Sequence, residues 1–220
     1  MSAPTRFRIL ASRRFLGPCA AAVGLSLFVA AAQLGLAACG GAGVRSGVSV
    51  GPRLSSARLG SVRSAMTYDG DWLGGLSPAE DLDADLELAA RRGVDFVIDL
   101  RSAHAQEVLS LEEAVEAAGL QLVAISFADP PVVEGVKPPF GGLGVSDEAI
   151  NAVRRILNAP GRRRSLLLDE NGTRSSMVYA IHLALDEGVP VAEALRGARS
   201  TGLSQDGVDF VRSQVERARP

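Results

Sequence analysis

From Pro78 onward, short apolar runs alternate with stretches of helical periodicity, and glycines fall at several of the joints. Leu82, Leu86 and Ala89 lie at helical spacing between Pro78 and Arg92, and Gly93 ends the stretch. Val94 to Leu100 is a short, mostly apolar strand. Leu111 to Ala118 is helical and is stopped by Gly119, and Leu120 to Ile125 is a second strand. Residues 129–145 hold four prolines and four glycines and form a loop. Asp147 to Asn158 is helical, Ser165 to Leu168 is a buried strand, and helices over about 174–187, 191–199 and 205–217 close the chain. Such alternation predicts an α/β fold: a mostly parallel central sheet with helices on both faces, a three-layer sandwich.

The N-terminal part is of another kind. Arg6 to Arg14 form a basic segment, an apolar run follows from about Phe15 to Leu36, and then comes Leu36-Ala37-Ala38-Cys39-Gly40. Small residues before a cysteine, behind basic and apolar flanks, resemble the lipobox of bacterial lipoproteins. The resemblance implies a signal peptide over 1–38, lipid on Cys39, and a membrane as a partner through that lipid. An uncleaved anchor is the alternative, since about 20 apolar residues suffice to span a bilayer; the abundance of Ala and Gly weakens it. Ser12-Arg13-Arg14-Phe15-Leu16 is similar to a twin-arginine export signal, from which Gly17 departs. Gly40 after the lipidated residue favours the outer membrane, facing the periplasm. Residues 39–55 are the lipidated Cys and a Gly/Ser-rich flexible linker, of which residues 40–55 would reach roughly 20–25 Å. Residues 56–220 are left for the α/β domain.

Charge and cysteine content narrow the function. The chain carries −2, and residues 1–38 hold four arginines and no acid, so the processed part carries −6. An acidic body argues against nucleic acid as a partner. Cys19 and Cys39 are the only two cysteines. A domain beginning after them has no thiol, which excludes thiol catalysis and cysteine metal sites. His104, in a loop after Arg101, is expected to be solvated, and His182, inside a helix, to be packed. Two isolated histidines make a metal site unpromising; no cofactor is expected.

The stretch Leu166-Leu167-Leu168-Asp169-Glu170-Asn171-Gly172-Thr173-Arg174-Ser175-Ser176 is the candidate site. A strand, a tight glycine-containing loop and a helix start aim backbone N–H groups at one point, where the helix dipole adds positive charge. Arg174 could add a planar fork for an oxyanion. Gly172, Thr173, Arg174 and Ser175 are therefore candidate anion-binding residues. The structural alternative is that Arg174 pairs with Asp169 or Glu170 and leaves the loop satisfied from within.

Here the chain resembles the cysteine-dependent (dual-specificity and tyrosine) phosphatase superfamily, most closely the compact bacterial branch associated with β-lactamase-like hydrolases. The residues that carry the resemblance are Ser77-Pro78, Gly93-Val94, Val97-Ile98-Asp99-Leu100-Arg101, Gly119-Leu120, Gly172-x-Arg174-Ser175, Glu193-Ala194-Leu195, Ala198-Arg199 and Gly202-Leu203. The family's phosphate loop runs His-Cys-x-x-Gly-x-Arg-Ser. In this chain Asp169 stands at the nucleophilic cysteine and Leu168 at the histidine. Ser175 stands where the family uses a hydroxyl to stabilise the thiolate. Asp129, before Pro130, lies where the family can place a general acid, although a turn-forming Asp is the simpler reading. A carboxylate about 5 Å from a phosphate dianion costs roughly 6 kcal/mol at an effective dielectric of about 20.

The resemblance therefore implies a phosphatase-like domain without confident catalytic residues, a pseudophosphatase whose ligand is a protein or a phosphorylated or other anionic molecule. An enzyme with altered chemistry, using Asp169 with a metal, is one alternative. An inactive rhodanese-like domain is another.

Overall fold

The computed structural model describes residues 8–9, 54–127, 144–161 and 163–219. Among the described residues seven strands form one sheet in the order β1-β6-β5-β7-β4-β3-β2. They are β1 (Arg8–Ile9), β2 (Ser55–Ser56), β3 (Arg63–Tyr68), β4 (Asp71–Gly75), β5 (Phe96–Asp99), β6 (Gln121–Ala124) and β7 (Ser165–Asp169). The four central strands β6, β5, β7 and β4 are parallel; β1, β3 and β2 join antiparallel at the two edges. Seven helices flank the sheet: α1 (Leu82–Arg91), α2 (Ala103–Val108), α3 (Glu112–Ala117), α4 (Asp147–Leu157), α5 (Thr173–Leu185), α6 (Val191–Arg199) and α7 (Gln205–Ala218).

The two-residue period of the strands sorts the core into two layers. Leu73, Ile98, Leu100 and Leu167 point to one side, where they pack with apolar residues of α4, α5, α6 and α7. Trp72, Val97, Leu166 and Leu168 point to the other, against Leu82, Leu86 and Ala89 of α1 and Val115 of α3. Helix α5 is buried from Ser175 to Ala184, so it is apolar nearly all round rather than striped. It runs from the C-terminal end of β7, the centre of the sheet, and this fixes where the candidate loop lies.

The expected three-layer α/β architecture is the observed one. The first helix starts at Leu82 rather than Pro78: the Ser77 hydroxyl donates to the Asp85 carboxylate instead of capping a helix at Pro78, and residues 79–81 form turns. The β3–β4 hairpin and helix α2 go beyond the elements that the sequence pattern predicts. The hairpin turns on Asp69 and Gly70, both at positive φ, and β3 lacks a clean alternation because its register shifts between Arg63 and Met66. The loop over 129–145, with Asp129, lies almost wholly outside the described residues; Cys39 lies outside them too, while of the segments expected to be signal and linker only Arg8–Ile9, which form β1, and Leu54 and Ser55, the latter in β2, are described.

Candidate functional site

Asp169 is the last residue of β7 and has no solvent exposure. Its strand is held on both sides: Leu100 N–H donates to Leu168 O at 2.7 Å, and Leu76 N–H donates to Asp169 O at 2.7 Å. The loop that follows lies against β4 almost backbone to backbone. A Cβ on Gly75 would fall 2.5 Å from the carbonyl carbon of Asn171, so that strand end tolerates only glycine there. Gly172 turns the chain into α5 at φ 90°, a left-handed conformation that glycine adopts without strain.

The N–H groups that would face a bound anion are already used. Gly172 N–H and Arg174 N–H both donate to the Asp169 carboxylate, one to each oxygen. Thr173 N–H donates to Asn171 Oδ1 at 3.0 Å. Ser175 Oγ lies 3.1 Å from Gly172 O and 3.3 Å from Gly74 O, and Ser176 Oγ donates to Gly172 O at 2.5 Å. Both hydroxyls thus serve the backbone rather than the loop's interior.

Arg174 is oriented by its neighbours. Its Nη1 is 2.6 Å from Glu170 Oε2, and its guanidinium carbon lies 5.9 Å from the centroid of the buried Phe127 ring. The other oxygen of Glu170 accepts from Ser102 N–H at 3.1 Å. Of the two partners foreseen for Arg174, Glu170 makes the side-chain ion pair, while Asp169 takes the Arg174 backbone N–H. Burial pushes the Asp169 carboxyl up to about 6; the Arg174 and Gly172 N–H groups and the Arg174 charge oppose the rise, and the Glu170 charge adds to it.

The structure thus brings Asp169, Glu170, Gly172, Thr173, Arg174 and Ser175 together, and adds Ser102 and Phe127. Those two had no signal of their own in the sequence. They reach the loop because Ser102 forms an isolated parallel bridge with Phe127, beyond the ends of β5 and β6. Beside them Arg101, 2% exposed, is locked to Asp99 by contacts of 2.9 and 2.8 Å and donates to the carbonyls of Ala105 and Leu109.

The histidines stand apart from this loop. His104 is exposed, as expected, but sits in the first turn of α2 rather than in a loop, because the Ser102 hydroxyl caps that helix by accepting Ala105 N–H. His182 is buried in α5 with Nδ1 3.0 Å from Asp186. A cleft of about 230 Å3 lies between α4, α5 and α7, lined in part by Ile181 and Leu185. It is roughly 12 Å or more along α5 from the loop, and its Arg154 and Arg217 pair with Asp186 and Asp147. Among the described residues no cluster of His, Cys, Asp and Glu could hold a metal ion, and no helix is long and apolar enough to cross a membrane.

No family model and no curated protein matches the chain. Solved structures do. A protein of Shewanella putrefaciens CN-32, described as a "Putative phosphatase (DUF442)", is similar in two crystal structures. Both share 16% identity and cover 71% of this chain; TM-scores are 0.54 and 0.53, over 89% and 93% of the other chain. TpbA of P. aeruginosa, in complex with pTyr, is similar at 15% identity and TM-score 0.49, covering 76% of this chain and 97% of its own. At 16% identity the likeness to the two Shewanella structures is one of fold: the chain has the phosphatase-like α/β fold of the DUF442 structures.

Proposed function

We propose that this chain is a lipoprotein, tethered to a bacterial membrane through Cys39, whose phosphatase-like domain carries no phosphatase chemistry and works by binding. One observation carries the reading: the carboxylate of Asp169, the residue that the resemblance sets at the nucleophile's place, is itself held by the N–H groups of Gly172 and Arg174. A carboxylate there is a weaker nucleophile than a thiolate, and it repels the dianion it would have to attack. Both cysteines of the chain precede the domain. Lipidation of Cys39 rests on the lipobox and its flanks. Gly40 after the lipidated residue favours the outer membrane, with the domain facing the periplasm.

Protein extracted from membranes with detergent tests both halves. Intact mass should show a chain beginning at an acylated Cys39; a soluble product, or one retaining residues 1–38, overturns the tether. The same preparation should not turn over aryl phosphates, with or without added divalent metal. Turnover above a heat-killed control that is lost in Asp169→Asn would replace the binding reading with altered chemistry at Asp169.

A further inference from the structure

Glu170 is gripped by two elements that are far apart in sequence. One carboxylate oxygen takes Nη1 of Arg174, from the first turn of α5, and the other takes the N–H of Ser102, the residue that caps α2. We propose that Arg174 and Ser102 form a receptor for a carboxylate carried by a ligand, and that Glu170 is its built-in occupant. This rests on the binding reading above and names the chemistry that the site would take.

Three observations lead there. The receptor groups are held independently of their occupant. Arg174 stacks over the buried ring of Phe127, and Ser102 is fixed by its bridge to Phe127 and its cap on Ala105 N–H. The occupant is the exposed partner: the Glu170 side chain is 41% exposed and that of Arg174 12%. Glu170 can therefore swing to solvent while its receptor stays in place. The third observation sets the ligand class. Asp169 has consumed the N–H groups of Gly172 and Arg174 and places a carboxylate beneath the site. The Arg174 guanidinium and the Ser102 N–H each hold one oxygen of a carboxylate, and the Asp169 charge beneath them opposes a dianion more than a monoanion. An incoming carboxylate exchanges places with Glu170 and leaves the count of ion pairs unchanged, so Glu170 acts as an internal competitor.

The test uses the full chain in detergent micelles, with three probes: acetate, a capped tripeptide with one central glutamate, and inorganic phosphate. The amide resonance of Ser102 reports on the site directly. In Glu170→Ala, carboxylate probes should bind at least tenfold more tightly than in wild type and should restore the Ser102 amide shift lost with the glutamate. Phosphate should gain less. Glu170→Gln should give a smaller gain in the same order, and Arg174→Ala added to Glu170→Ala should remove the gain. Tighter binding of the tripeptide than of acetate points to a protein side chain as the source; equal binding points to a small carboxylate. No gain for either carboxylate in both Glu170 variants, or a phosphate gain as large as theirs, overturns the proposal. Phosphatase turnover by wild type would instead sink the non-catalytic reading, and the two failures are therefore distinguishable.

Discussion

At the C-terminal edge of the sheet, β5 closes on Asp99 and Arg101, while its neighbour β7 closes on Asp169, Glu170 and Arg174. Both ends bring a guanidinium to a carboxylate beside a helix start, yet they are finished differently. The Asp99–Arg101 pair has side chains 3% and 2% exposed, and the spare donors of Arg101 go to carbonyls of α2 and the residue after it. The carboxylate on β7 instead takes backbone N–H groups, and the guanidinium is left at the rim with the half-exposed Glu170. The first arrangement closes the fold. In the second, the protein's own carboxylates take up the donors of the loop and leave one pair partly exposed.

If this contrast is right, the two arginines differ in what they hold. Arg101→Ala leaves Asp99 buried without its counter-charge and should cost about 3–5 kcal/mol. Glu170→Gln, at a partly exposed pair, should cost less than about 1 kcal/mol. Chemical denaturation of both variants measures the difference, and equal costs would erase the distinction between the strand ends.

The next largest effect is on pH dependence. The Asp169 carboxyl lies at about 6 in the fold against an ordinary 3.8. Between those values the native state holds a proton that the unfolded chain has lost, so stability falls as pH rises through this window and stays lower above it. The difference amounts to about 3 kcal/mol. Asp186 works in the opposite sense. Burial would raise it, but hydrogen bonds from Arg154, His182 and Asn158 prevail and hold it at about 2, so its contribution is lost as pH falls from about 4 toward 2. Unfolding free energies of wild type and Asp169→Asn between pH 4 and pH 7 isolate the Asp169 part. Parallel curves would show that the carboxyl is not penalised by its burial.

The smallest effect sharpens the comparison from the other side. Asp169→Ser with Glu170→Ala removes both internal carboxylates and frees the N–H groups of Gly172 and Arg174. Phosphate or vanadate should then bind at least tenfold more tightly than in wild type, about 1.4 kcal/mol, by calorimetric titration. Arg174→Ala added to this variant should abolish the gain. Unchanged affinity would mean that the loop keeps only the shape of a phosphate cradle.

The sequence made the parallel core legible because β5, β6 and β7 are apolar runs bounded by glycine or turn residues. It hid the β3–β4 hairpin, where Arg63-Ser64-Ala65-Met66-Thr67 is bulged and Gly74-Gly75 resembles a loop. It hid α2 for another reason: Ala103 to Val108 buries no residue and so shows no apolar stripe. At the site, Gly172 and Arg174 could be placed by their position between a strand and a helix start, and Asp169 through the family resemblance. The choice of Glu170 for the Arg174 side chain could not, because it depends on Ser102, 68 residues away. Such a contact is written in tertiary structure only.

The chain enters the main described fold at Leu54, whose side chain lies across α6 at the one place where Gly197 leaves room. A Cβ on Gly197 would sit 2.7 Å from that of Leu54, and Leu54 packs on the core shared by α5, α6 and α7. Strand β2 adds only two residues of pairing to β3. A pull on the segment before Leu54 would thus load a wedged side chain in shear before it unzipped the sheet edge. Under the tether proposed at Cys39, Gly197 would work as a cleat: tension in the mooring line would pass to α6 and its helical neighbours instead of fraying the fold from its end.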